Sequence, residues 1–198
     1  MLLSLRSSIW KQTERSNSIA LGALLPLNPE PLLNNVADKT KYIKLACIAG
    51  IIIIFDLISK AIILGKMPLY NSIPVIPGFF SITHIQNAGG AFGFMASQSS
   101  SLRYVFFIVV SSLAVCLIFF FYKNTPKTHP LLATAFAMIL GGAIGNLIDR
   151  FRFGKVVDFL DFYIGNYHWP AFNIADSAIT IGIGIFIYHI LLNKLPSS

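Results

Sequence analysis

Residues 141–177 read GGAIGNLIDRFRFGKVVDFLDFYIGNYHWPAFNIADS, and the rest of the chain is organised around this stretch. Past residue 40 there are five aspartates and no glutamate, and four of the five, Asp149, Asp158, Asp161 and Asp176, fall here. Asn146, Arg150, Arg152 and Asn173 fall here too. The flanking sequence is almost pure hydrocarbon. An ionisable side chain beside a bilayer is costly to keep, so it marks a functional site by default. Several gathered at the ends of two neighbouring apolar runs mark one more strongly.

Outward from this stretch, the chain has the composition of an integral membrane protein. Hydrophobic residues make up 55% of the 198 and charged residues 12%, with a mean hydropathy of +0.70. An ordinary soluble domain carries about twice that share of charge. Four apolar runs are long enough to cross a bilayer, which needs about 20 residues. They lie at about 42–64, 102–122, 131–148 and 172–192. The predicted fold is therefore an all-α membrane domain of four transmembrane helices over residues 41–194. Residues 1–40 form a separate N-terminal extension, polar and basic, expected to be disordered. Pro26, Pro29 and Pro31 are expected to stop any helix there.

The net charge of +7 is a topology signal rather than a nucleic-acid footprint. With four spans both termini share a side. That side carries Arg6, Lys11, Arg15, Lys39, Lys41, Lys44, Lys123, Lys127 and Lys194, nine of the fifteen basic residues. The positive-inside rule then makes the termini cytoplasmic and turns the acidic stretch outward. Arg150, Arg152 and Lys155 crowd the outer side and narrow the margin. Cys47 and Cys116 lie inside spans, which disfavours a disulfide, and the four histidines have no metal-ligand spacing. No metal or cofactor is expected.

Within the spans, Gly142, Asn146 and Asp149 share one helical face, and the glycines around them permit close helix packing. Asn173 and Asp176 are one turn apart. Asp56 and Lys60, four apart in the first span, read either as a self-satisfied pair snorkelling to the interface or as an anchor for the site. Residues 65–101 read as a loop with strand character, closing on NAGGAFGF at 87–94, where Asn87 offers donors and an acceptor. Residues 151–171 read as a second loop. Arg150, next to Asp149, is its expected ion-pair partner.

Two carboxylates at one site can share a proton and work as general acid and base. From the residues alone, Asp158 and Asp176 are one candidate pair. Asp161 could be a surface residue, and Asp149 an ion-paired one. A transporter or proton relay could use the same acids. It should spread them through the depth of several spans, whereas here they gather at one face.

The blocks DLISK (56–60), NAGGAFG (87–93), GGAIGNLIDR (141–150), VVDF (156–159) and FNIADS (172–177) occur in the order that resembles lipoprotein signal peptidase, or signal peptidase II, a bacterial membrane aspartic protease family. The resemblance covers about residues 42–192. It implies that Asp158 and Asp176 are the catalytic dyad. It implies that Asn87, Asn146, Arg150 and Asn173 surround the substrate, with Asp56, Lys60 and Asp149 holding the site. It implies a small β-sheet cradle on the outer face, formed by the first loop. The implied substrates are prolipoproteins carrying diacylglyceryl on a cysteine, cleaved just before that cysteine in the inner membrane. The expected partners are those substrates and membrane lipids, with the protein a monomer. Leu57 and Ser59 stand where the family usually has Gln and Thr, and Gly90 where it usually has Ala.

Overall fold

The computed structural model describes residues 30–89 and 98–192. The chain divides between residues 43 and 44, and everything that builds the site lies in the unit Lys44–Ser198. The elements are α1 (Glu30–Lys66), β1 (Ser72–Ile76), β2 (Phe80–Asn87), α2 (Ser100–Asn124), α3 (Pro130–Phe153), β3 (Val156–Ile164), β4 (Tyr167–His168) and α4 (Ile174–Leu191). Among the described residues, four helices are long and apolar enough to cross a membrane, in the four expected places.

Helix α1 starts earlier than the prolines suggested. It begins at Glu30 and takes Pro31 into its first turn. A proline costs nothing there, because first-turn N–H groups have no partner inside the helix. The remainder of the extension, and Gly90 and Gly93 of the glycine block, lie outside the described residues.

Helix α3 is the buried centre of the bundle, while α2 buries only Tyr122. The contrast reflects residue size. A side chain at Gly142 would overlap the carbonyl oxygen of Ala175 on α4. A Cβ at Gly145 would stand 2.7 Å from the Asp56 carboxylate. Small residues thus bring α3 against both α4 and the polar face of α1, as in other membrane bundles. At the end of the bundle away from the sheet, Leu45, Tyr122, Leu132, Phe136 and Leu140 fill the core.

The two loops combine into one antiparallel sheet of order β1-β2-β3-β4. Residues 151–171, expected as a loop, contain strand β3, which pairs along β2 with Ile85 opposite Asp158 and Asn87 opposite Val156. The β-branched and aromatic run VVDFLDFYI supplies the strand preference. It closes on β2, with paired positions 69 to 82 residues apart, which no local pattern reveals. Val157 and Phe159 pack beneath the sheet against Ile63 and Met67 at the end of α1.

Candidate active site

The first turn of α4 is built by a reciprocal cap. Asn173 is the N-cap, its Oδ1 accepts the Asp176 N–H, and the Asp176 carboxylate accepts the Asn173 N–H at 3.2 Å. Three of the amides that a helix start leaves unpaired are satisfied, two within this cap and one across the bundle. The Ala175 N–H donates to Asp56 Oδ1 of α1 at 2.9 Å. Asp176 is therefore placed by backbone geometry, in the first turn of α4.

Asp158 comes from the sheet. Its Oδ1 accepts from Asn173 Nδ2 at 2.8 Å and its Oδ2 from Asn87 Nδ2 at 3.2 Å. Burial, and after it the Asp176 charge, push Asp158 up to about 7, against the two donated hydrogen bonds and the Lys60 charge.

Behind the two carboxylates lies a buried cluster. Lys60 Nζ is 2.7 Å from Asp56, 3.0 Å from Asp149 and 3.0 Å from Asn146 Oδ1. Asn146 Oδ1 also accepts from Asn173, so its amide nitrogen turns the other way and donates to Asp176 at 2.7 Å. The lysine thereby fixes which end of Asn146 faces Asp176. Asp149 accepts the Val157 N–H at 3.2 Å and ties the start of β3 to α3.

One alternative and one expectation are corrected here. Asp56 and Lys60 do not snorkel; they are 0% and 1% exposed. Asp149 pairs with Lys60, not with Arg150. Adjacent helical residues point apart, and Arg150 lies 5.2 Å over the Phe107 ring and reaches the Asn146 carbonyl oxygen. Asp161 stands apart from both carboxylates, and binds His168 Nδ1 at 2.9 Å across the β3–β4 hairpin.

Asp158 and Asp176 line a cavity of about 760 Å³ with Asn87, Asn146 and Arg150. Its remaining wall includes Trp169, Phe172, Ser177, Thr180 and Ile181. The sequence reading did not assign the last three to the site. Ser177 and Thr180 lie beside Asp176 and one turn beyond it, so helical spacing could have found them. No His, Cys, Asp and Glu group suited to a metal occurs among the described residues.

A four-span bundle carrying two linked carboxylates in a cavity at the foot of a sheet defines a multi-pass membrane protein with an acidic polar site. Comparison with known proteins makes the class specific. The family model described as Signal peptidase (SPase) II matches residues 48–192. A lipoprotein signal peptidase of Desulforapulum autotrophicum is 54% identical over 78% of this chain and 95% of its own length. One from Syntrophus aciditrophicus is 46% identical over 76% of this chain and 93% of its own. A solved bacterial membrane enzyme superposes with a TM-score of 0.68 at 34% identity, covering 76% of this chain and 88% of that one. The chain belongs to the signal peptidase II family.

Proposed function

We propose that this member of the family is an aspartic endopeptidase that removes the signal peptide from diacylglyceryl-modified lipoprotein precursors, cutting before the lipidated cysteine, with Asp158 and Asp176 as its catalytic dyad. The observation that carries the reading is the joint placement of these two carboxylates in one cavity, linked through Asn173 and Asn146. Asp158 is buried on a strand and holds a proton up to about 7, which fits it to serve as the acid, and Asp176 is then the base of the pair.

Asp176 then acts as base on a water, and Asp158 gives its proton to the scissile carbonyl oxygen as the water oxygen bonds to carbon. The Asp176 proton passes next to the peptide nitrogen, and the C–N bond breaks. Asp158 recovers its proton from the collapsing intermediate, so both acids end as they began. Asn87, Asn146 and Asn173 hold the carboxylates in register, and Arg150 sits at the cavity wall to meet substrate carbonyls. Asp56, Lys60 and Asp149 hold Asn146.

The acyl chains of the substrate enter the bilayer at about 0.8 kcal/mol per methylene and hold the peptide at the depth of the dyad. The termini are cytoplasmic, the sheet lies outside, and one chain suffices because it supplies both carboxylates. Residues 1–40 are dispensable for cleavage. The experiment is incubation of the purified protein with a lipidated and an unlipidated precursor. A size shift of the lipidated form alone supports the reading, and equal cleavage of both contradicts it.

A further inference from the structure

Arg150 lines the cavity together with Asp158 and Asp176. Among the described residues, no carboxylate stands at ion-pair distance from its guanidinium. Opposite charges that share a partly buried space attract strongly, so the guanidinium needs something to hold it back. Two contacts do so. The Asn146 carbonyl oxygen accepts from Arg150 Nη1 at 3.5 Å, at the long limit of a hydrogen bond. The Phe107 ring lies 5.2 Å from the guanidinium carbon, inside the reach of about 6 Å over which a ring face attracts a cation. The ring is the firmer of the two.

Phe107 is half-buried and belongs to α2, a helix that buries only Tyr122, near its other end. The other charges about the carboxylates are Lys60 and Asp56 on α1 and Asp149 on α3. Lys60 is already engaged, at 2.7 Å from Asp56 and 3.0 Å from Asp149. Arg150 is therefore the cation whose place is set by a ring rather than by an acid.

We propose, given Asp158 and Asp176 as the dyad, that Phe107 is a positioning residue, whose ring face keeps the Arg150 guanidinium at the cavity wall and off both carboxylates. Without the ring, the guanidinium turns to one of the two acids. Beside Asp158 it favours the ionised form of that acid. Beside Asp176 it offsets the charge that helps Asp158 keep its proton. Either way Asp158 loses its proton at lower pH, and the alkaline fall of kcat/KM moves down with it.

The test is cleavage of a lipidated precursor by the full-length protein, with kcat/KM followed against pH. The readout is the pH at which the alkaline fall occurs, whatever the height of the profile. Phe107→Leu and Phe107→Met, two ringless replacements that keep apolar bulk, should displace it downward by about 0.5, the equivalent of about threefold in proton affinity. Phe107→Tyr keeps the ring face and should follow wild type. A trifluorinated phenylalanine at 107 keeps the shape but weakens the negative face of the ring, and should behave as leucine does. An unmoved fall in both ringless variants overturns the proposal, as does a loss that is uniform across pH. A fluorinated ring that behaves as phenylalanine also overturns it, because the ring then acts by bulk alone. A wild type that leaves the lipidated precursor uncut overturns the proposed reaction itself, and this assignment with it.

Discussion

Two pairs of aspartates are joined through Asn146 in this protein, and they differ by one cation. Asp56 and Asp149 have Lys60 between them, at 2.7 and 3.0 Å, and are 0% and 1% exposed. Asp158 and Asp176 have only amides between them and open on a cavity. The first pair is neutralised in part by the lysine and is fixed. The second must settle its charge by holding a proton, which is what acid–base chemistry requires. Under the proposed function, the same side chain serves as scaffold or as reagent according to what stands beside it.

The largest effect that would sharpen this contrast is on turnover. Asp158→Asn and Asp176→Asn should each lower the cleavage rate by about 10³-fold or more, and the double variant little further, because residues acting as one unit are not additive. All three should remain folded, as thermal unfolding in detergent would show. If either single variant cleaves well, the dyad is wrongly assigned.

Lys60→Met should act on the other pair. It leaves two buried carboxylates without their cation, a loss of about 3–5 kcal/mol. Thermal unfolding in detergent should show the drop, and adding Asp56→Asn with Asp149→Asn should restore much of it. An unchanged melting temperature for Lys60→Met would mean that the lysine does not hold the scaffold pair.

The third effect is on pH. Folded Asp158 keeps its proton to about 7 and an unfolded one only to 3.8, so the native state binds more protons between those values. Stability from this group is present below pH 3.8 and is lost as the pH rises to about 7. The stability advantage of Asp158→Asn should therefore grow over that window, to a ceiling of about 4 kcal/mol. The kcat/KM of the parent should fall above about pH 7, as the acid loses its proton. A rate that instead rises through pH 7 would exchange the roles of the two aspartates.

The smallest effect belongs to Asp161. Asp161→Asn should keep cleavage within about threefold, since Asn can still accept from His168, which is itself half exposed. Loss of activity there with retention in Asp158→Asn would reverse the choice of carboxylate.

How far this was legible from residues alone differs between the same regions. The spans were plain because twenty apolar residues in a row have few other uses. The one-turn spacings of Gly142, Asn146 and Asp149, and of Asn173 and Asp176, put them on common faces. Helical period could not tell that Asp149 would find Lys60, which is 89 positions earlier and meets it only through packing at Gly145. Strand β3 looks like a loop in the sequence because its partner is β2, and pairing of distant segments leaves little trace in either one. The choice of Asp158 over Asp161 was open in the residues and rested on family resemblance; geometry separates them by sending Asp161 to His168.

Asn173 carries one further consequence. One amide both starts α4 and orients Asp158, through opposite ends of the same side chain. Loss of such a cap alone costs about 1 kcal/mol, before any effect on the acid it holds. An inhibitor whose acceptor competes for that amide would therefore press on a position with no cheap escape. Replacement there would weaken the drug contact only by fraying the helix and disarming the enzyme together.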